Sequence, residues 1–517
     1  AVNPLLRAAY LSQRNRQLLQ QEQSETKTTT AESCPSTVTL VLPWLVYPED
    51  RLKLYGRSWA APDKTPDDQE AYIREWLTAS AHLPLEAAHP SEGGITIVWY
   101  PARYHEALSS IFALGDLCEM IPTTVTETKA ICILEEPEHV NFYRAPGRES
   151  WRDKFVHVIG IVHTNYKAYA RNHYSGILTG PLVGALSSLM VRAYCDKVVK
   201  LSPVLQTYAP GKEVVSNVHG IRQEFFRVPM KNHDVNTRAR VYFIGKLLWA
   251  KGLDKLLELE AHFRKKTGKY FEIDIVGSGP EQNEIEKSFL GQQQQQQKPP
   301  TAPSSSPITV AETKRSHWRY FRQPIPARFL GRRDHAEIGV EYHVFVNPSI
   351  TEVLCTTTAE AIAMGKWVIV PRHASNEFFL QFSNCLQYTS KSEFVELLQY
   401  ALSNPVDYVI SESSSTAKDG SIDRSQFFAP LTWENATLRL IDSAYLNKRE
   451  ARRRDRLTLH KEDRSIQEWH YALGNGKSGD VLRKVLGGGP VAEQSTYKNL
   501  SSTLSTSSSS TSLVSAR

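Results

Sequence analysis

Cysteine is scarce in this chain: six in 517 residues, at positions 34, 118, 132, 195, 355 and 385, with no CxxC pair. That spacing excludes a disulfide framework or a thiolate zinc site, and several of the six lie inside apolar, strand-like runs, which reads as reduced buried thiols in a cytosol-facing protein. Charge of one sign is also nearly lacking. Lys+Arg 61 against Asp+Glu 55 leaves a formal +6, compatible with an anionic membrane surface or a phosphorylated substrate and too small to argue for nucleic acid. No long apolar run is present. The best candidate, 175–191, carries no formal charge and nears spanning length, but Gly176, Gly180, Pro181, Gly184, Ser187 and Ser188 dilute it. It reads as an amphipathic helix packed on a sheet and ending at Arg192, not as a membrane span. No secretory signal is visible from Ala1 onward, which says little about compartment. Phosphate-binding fingerprints are missing too: Gly277-Ser278-Gly279 has Gln282 where a third glycine would stand, and Gly476-Lys477-Ser478 has Tyr471 in place of a leading glycine. No His/Cys/Asp cluster has metal-ligand spacing, and Glu272-Ile273-Asp274 lies within a strand pattern, so the expectation is metal-independent chemistry with no cofactor.

What is present is an α/β pattern. Apolar residues make up 41%, enough for globular domains, and the length suggests two domains with extensions. In the first, 1–230, strands are expected at 38–42, 95–99, 130–134, 157–163 and 197–201, with helices at 67–79, around 107–116, and at 178–194. Alternation of this kind argues a doubly wound parallel sheet. The second, 231–430, restarts with strands at 240–244 and 271–276 around a helix at 252–265. It is interrupted at 291–318 by a run of glutamines and KPPTAPSSSP, which reads as a disordered insertion. Beyond it come helices at 393–402 and 432–446, a basic-rich run at 447–464 and a Ser-rich tail within 431–517.

The most informative stretch is 344–370, VFVNPSITEVLCTTTAEAIAMGKWVIV. It reads as strand, loop, helix, strand. Asn347-Pro348-Ser349 breaks the first strand, Thr356 opens the helix, Gly365 stops it, and 367–370 is the next buried strand. Such a unit aims a helix N-terminus, with the hydroxyls of Thr356, Thr357 and Thr358, out of the carboxyl end of a parallel sheet, where orphan amides and the helix dipole attract an anion. Glu352 and Glu360 flank that anion site, and a carboxylate accepts paired hydrogen bonds from a vicinal diol, so a nucleotide sugar fits. Lys246 and Lys251, just past the strand at 240–244, can neutralise a pyrophosphate leaving group. His163 ends a strand of the first domain on the side where open α/β sheets bind ligands. Glu135, Glu136, Glu138 and His139 follow another strand end; they suit acid–base work or the binding of sugar hydroxyls, or form a charged loop start.

The frame P-S-x-x-E followed by E-A-x-A-x-G-K resembles the donor site of retaining family 4 glycosyltransferases of the GT-B fold. Longer runs, among them LEEPEHVNFY, FVHVIGIVHTNY, RAYCDKVVKLS, GKLLWAKG, GRRDHA and NPSITEVLCTTTAEAIAMGK, are similar to the digalactosyldiacylglycerol synthases of plants and algae. The resemblance implies two Rossmann-like domains facing across a cleft, with a helix near 432–446 crossing back to the first. It implies transfer of galactose from UDP-galactose to monogalactosyldiacylglycerol with retention, by front-face attack in which the donor phosphate takes the acceptor proton. In those terms His163, Glu352, Lys246 and Lys251 are catalytic. Lys246, Lys251, Gly277, Glu352, Thr356, Thr357, Glu360 and Glu377 hold the UDP-sugar, Glu360 at the ribose and Glu352 at the galactose. Glu136, Glu138 and His139 bind the acceptor, and Gly220, in Asn217-Val218-His219-Gly220, supplies a positive φ. One departure stands out: Val353-Leu354-Cys355 replaces the Gly-Phe-Gly-like run that brings backbone amides to the sugar. The resemblance further implies a first strand ahead of Ala1, peripheral attachment to an anionic membrane surface, and residence on the cytosol-facing side of the chloroplast outer envelope. A related enzyme with another hexose donor or lipid acceptor, and a catalytically silent GT-B membrane adaptor, remain the alternatives.

Overall fold

The computed structural model of the chain describes residues 2–25, 37–79, 81–84, 94–106, 110–122, 130–145, 148–166, 179–228, 240–291, 324–406, 423–445 and 457–473. They divide into two compact units, Ala1–Gly220 with Trp433–Arg517, and Ile221–Thr432. The first boundary falls at Gly220, ahead of the polar break near 230, and the C-terminal helices are part of the first unit. The insertion at 291–318, the 447–456 part of the basic run and the Ser-rich tail lie outside the described residues beyond Gly291.

The first unit opens with a helix, Val2–Glu25. Its Leu5, Leu6, Ala9 and Tyr10 are buried in one cluster with Leu40, Leu77, Ile97, Trp433 and Ala436, and the Tyr10 ring stacks on Trp433 at 6.1 Å. Strands β1 (Thr39–Leu45) and β2 (Thr96–His105) pair in parallel. β3 (Ser110–Ala113) then runs antiparallel to β2. This corrects the helix expected around 107–116. Phe112 is buried, packed edge-on to Phe142 at 4.9 Å, and tertiary packing of β-forming Ile111 and Phe112 overrides the local periodicity. It also corrects the single sheet. The backward strand ends a three-stranded sheet, and β4 (Ile131–Glu135), β5 (His157–Val162), β6 (Lys197–Lys200) and β7 (Glu213–Val215) form a separate parallel sheet in that order.

The second unit is one six-stranded sheet built from β8 (Val241–Ile244), β9 (Ile273–Val276), β10 (Ala327–Gly331), β11 (Val344–Val346), β12 (Trp367–Pro371) and β13 (Cys385–Tyr388), in the order β10-β9-β8-β11-β12-β13. Every neighbouring pair is parallel. The inner strands β8, β11 and β12 are covered on both faces, which is why they read as apolar runs. Alternate residues go to opposite sides. Val241 and Phe243 pack with Leu253, Leu256 and Phe263 of the Leu253–Thr267 helix and with Phe394 and Leu398 of the Lys391–Ser403 helix. Tyr242 and Ile244 pack with Phe225, Phe345 and Ile362 on the other side. The fold class is α/β, and two parallel-sheet units are what a GT-B architecture comprises.

The five described cysteines are free, and Cys118, Cys195, Cys355 and Cys385 are buried. The 179–191 part of the uncharged stretch lies in the Thr179–Tyr194 helix, and 175–178 lie outside the described residues; among the described residues no helix is long and apolar enough to cross a membrane.

Candidate active site

The sheet of the second unit grows outward from β8 to β10 and then jumps back to place β11 beside β8. At that reversal the loops leaving the carboxyl ends of two neighbouring strands part in opposite directions, which is where open α/β sheets bind ligands. The loop after β8 carries Gly245, Lys246 and Lys251, and the loop after β11 carries Pro348, Ser349 and Glu352. Gly252, with φ +82, lies so close that an added Cβ would sit 2.7 Å from the Pro348 carbonyl oxygen, which requires glycine. The Thr351 hydroxyl donates to the Ala250 carbonyl at 2.6 Å, and the Lys251 ammonium pairs with the Glu352 carboxylate. Lys246 is exposed and makes no side-chain hydrogen bond or ion pair among the described residues.

The Thr356–Ala363 helix starts from the same loop, with no side chain capping it at Cys355. Burial and the neighbouring Glu352 charge push the Cys355 thiol up, so it remains neutral and leaves the positive helix end uncompensated. Thr356 is exposed, and the Thr357 hydroxyl lies 3.1 Å from the Cys355 sulfur. Buried Thr358 accepts from Asn347 Nδ2 at 2.9 Å, fixing this helix end to the end of β11. Val353 and Cys355 are buried, so the run that replaces the glycine-containing segment anchors the loop through its side chains. Glu360, one turn in, is held by His335 Nδ1 at 2.8 Å. Gly277 ends β9 with φ +138, and a Cβ there would sit 1.9 Å from the Gly245 carbonyl oxygen; this glycine lets the β8 and β9 loops touch backbone to backbone. Glu377 is exposed in the short Ala374–Gln381 helix that follows β12. All the expected donor residues thus follow β8, β9, β11 or β12 at the carboxyl edge of one sheet.

The first unit gathers a second constellation at the ends of β4 and β5. His163 follows β5, with Nε2 3.5 Å from Glu135 and Nδ1 3.3 Å from Glu136. Burial alone would lower the His163 pKa; hydrogen bonding to Glu135 and the charges of Glu136 and Glu135 outweigh it and raise it. Glu135 takes a 2.6 Å ion pair from Arg7; against the effect of burial, the Arg7 and His163 charges hold its carboxyl well below the usual range. Glu136 adopts the left-handed region at φ 56, an uncommon conformation for a residue with a Cβ. It accepts from the Thr164 hydroxyl and, at 3.0 Å, from the Tyr166 hydroxyl. Glu138 is buried, and His139 donates from Nε2 to the Ile111 carbonyl at 2.7 Å while stacking on Tyr166 at 6.1 Å. Of the three expected acceptor ligands, Glu138 is thus enclosed within the unit and His139 is taken up by neighbours. Gly220 is corrected: it is absent from the positive-φ residues, and its small size is needed because a Cβ would sit 2.5 Å from the Trp433 backbone.

Sequence reasoning did not single out Arg7, Tyr242 or His335. Arg7 sits in the opening helix, far along the chain from the glutamate it pairs with. His335 lies in the GRRDHA run and bonds both Tyr242 and Glu360; the run was legible, its partners were not.

No family model matches the chain. It is 34% identical over 455 residues to a protein named digalactosyldiacylglycerol synthase 1, chloroplastic, of Arabidopsis thaliana, across 87% of this chain and 46% of that protein. The chain therefore spans about half the length of relatives of that type, 46% to 51% of theirs. It is 32% identical over 504 residues to digalactosyldiacylglycerol synthase 2, chloroplastic, of Glycine max, across 95% of this chain and 91% of that protein. Among solved structures, sucrose-phosphate synthase from Thermosynechococcus elongatus has a TM-score of 0.41 at 14% identity, covering 78% of this chain and 97% of that one.

Proposed function

The chain belongs to the digalactosyldiacylglycerol synthase family, and from that membership we propose that it transfers galactose from UDP-galactose to monogalactosyldiacylglycerol, with retention, giving digalactosyldiacylglycerol and UDP. The observation that carries the reading is the Lys251–Glu352 ion pair, which joins the two loops at the sheet reversal beside the exposed Lys246 and an uncapped helix N-terminus. An anion-binding pole and two diol-binding carboxylates on one edge suit a sugar nucleotide.

In this reading Glu360 accepts the ribose hydroxyls, Gly277 borders the base, and Glu352 and Glu377 accept galactose hydroxyls. The pyrophosphate lies against the amides and hydroxyls of Thr356 and Thr357. As the bond from galactose C1 to the diphosphate oxygen breaks, negative charge builds on the leaving group. The ammonium groups of Lys246 and Lys251 stabilise that charge where a divalent cation would serve elsewhere, so no metal is needed. The acceptor hydroxyl attacks C1 from the face the diphosphate leaves and passes its proton to a departing phosphate oxygen, so no carboxylate nucleophile takes part. The first unit contributes His163, oriented by Glu135 and Glu136, and acceptor contacts from Glu136 with Glu138 and His139 behind it. The basic residues between Lys448 and Arg456 suit docking on an anionic leaflet, each contributing about 1 kcal/mol near the surface. The expected location is peripheral, on the cytosol-facing side of the chloroplast outer envelope.

The test incubates the full-length protein with labelled UDP-galactose and the monogalactolipid, then identifies the product lipid and its anomeric linkage. An α-linked second galactose is expected; an inverted linkage, or no transfer to the lipid, overturns the reading. Lys246→Ala should lower kcat by about 100-fold, the scale for removing one donor to a developing anion, while vesicle binding is unchanged.

A further inference from the structure

Tyr242, His335 and Glu360 form a linear relay from the core of the second unit to its carboxyl edge. The Tyr242 hydroxyl lies 2.8 Å from His335 Nε2, and His335 Nδ1 lies 2.8 Å from Glu360 Oε2. Tyr242 and His335 are both buried. The imidazole cannot turn away, because Phe225 and Phe345 flank it at 5.8 and 6.0 Å between ring centres. It is the first residue of the short His335–Ile338 helix, which Asp334 caps by accepting from the Ala336 amide at 2.8 Å. Burial and the Glu360 charge push the Tyr242 hydroxyl well up, so this group keeps its hydrogen and donates it. With Nε2 accepting from that hydroxyl, Nδ1 is the ring nitrogen that donates to Glu360.

We propose that His335 is a positioning residue for the donor site: it clamps one oxygen of Glu360 so that the carboxylate presents a fixed edge to the two hydroxyls of the nucleotide ribose. A glutamate on a helix surface is otherwise free about three bonds and must be ordered on binding; here the buried imidazole orders it beforehand. Oε2 retains one lone pair and Oε1 both, sufficient for a vicinal diol. The proposal rests on the reading of Glu360 as the ribose ligand, and the following experiment separates the two.

UDP and 2′-deoxy-UDP are titrated into the full-length protein by calorimetry. The unmodified protein should bind UDP about tenfold more tightly, the scale of one hydrogen bond to a charged group. His335→Gln keeps an amide near Nε2 and loses the donor at Nδ1; it should weaken UDP to nearly the level of 2′-deoxy-UDP and leave the latter unchanged. His335→Asn places an amide N–H near Nδ1 and should restore most of the discrimination. Tyr242→Phe, which preserves ring volume, should weaken UDP by a smaller factor of about three, since the ring loses its fixed tautomer. KM for UDP-galactose should rise in His335→Gln more than kcat falls. Equal weakening of both nucleotides in His335→Gln, or full discrimination retained there, overturns the positioning role. If the unmodified protein does not distinguish the two nucleotides, the ribose assignment of Glu360 fails, and the role of His335 fails with it.

Discussion

Glu138 has been taken out of water without gaining a partner: it is buried, and neither carboxylate oxygen has a hydrogen-bond partner among the described residues. Burial, with the neighbouring Glu136 charge, pushes its pKa up to about 8. The folded state therefore keeps this proton where the unfolded chain releases it near 4.5. The stability it contributes is full below the unfolded value and is lost as pH rises through the folded one. Glu135, three residues earlier at the end of β4, has the opposite sign: its depressed pKa contributes stability at neutral pH that is lost only on acidification. Glu138→Gln mimics the protonated acid and has no proton to lose. Melting followed by circular dichroism should show the unmodified protein less stable at pH 9 than at pH 6, by an amount on the order of 3 kcal/mol for the two pH units between 6 and the folded value, and the variant nearly flat across that range. Equal alkaline loss in both would mean that Glu138 is not the titrating group.

At the scale of elements, the donor site depends on two loops held against each other rather than on any one side chain. Gly252→Ala would place a methyl 2.7 Å from the Pro348 carbonyl oxygen on a backbone at φ +82. Overpacking typically costs about 1–3 kcal/mol, and the forced separation would draw Lys251 from Glu352. Calorimetry should find UDP binding weakened at least tenfold, with far-ultraviolet circular dichroism unchanged. The same elements show what the sequence makes legible. β8, β11 and β12 are covered on both faces, so their apolar runs stand out, and Gly245 and Gly277 mark the ends of β8 and β9. The 344–370 unit could be read to the residue, because the strand–helix–strand pattern and its chemistry lie in one continuous stretch. The strand at Ser110–Ala113 was hidden, because what makes it a strand is its pairing with β2 and the burial of Phe112 beside Phe142. His335 was hidden for the same reason: its partners stand 93 residues before it and 25 after it, and a single sequence carries no signal for such contacts.

At the scale of the molecule, the first unit is assembled from both ends of the chain, and a buried charge cluster fastens the return. Asp463 lies in the basic-rich run at 447–464, yet it has 1% side-chain exposure. It accepts from Arg152 at 2.9 Å and from Lys212 at 2.6 Å. Arg152 also pairs with Asp196 at 2.9 Å, and Asp196 accepts from the Val158 amide of β5 at 2.9 Å. The Leu457–Leu473 helix is thereby tied to the parallel sheet of the first unit, with Gln467 donating to the Ala193 carbonyl at 2.7 Å beside it. Asp463→Ala would strand the Lys212 ammonium and leave Arg152 with Asp196 alone, and breaking a buried pair typically costs about 3–5 kcal/mol. Burial already pulls the Lys212 pKa down, opposed by Asp463, so removing the acid should drive Lys212 toward its neutral form. Hydrogen exchange should then show protection lost at β5 and β6 and retained at β8 and β9, whose core draws on none of these groups. Adding Lys212→Met to Asp463→Ala removes one stranded charge and should recover part of the loss. Recovery is the decisive reading, because a helix held only by its apolar face would gain nothing from a second substitution at the lysine.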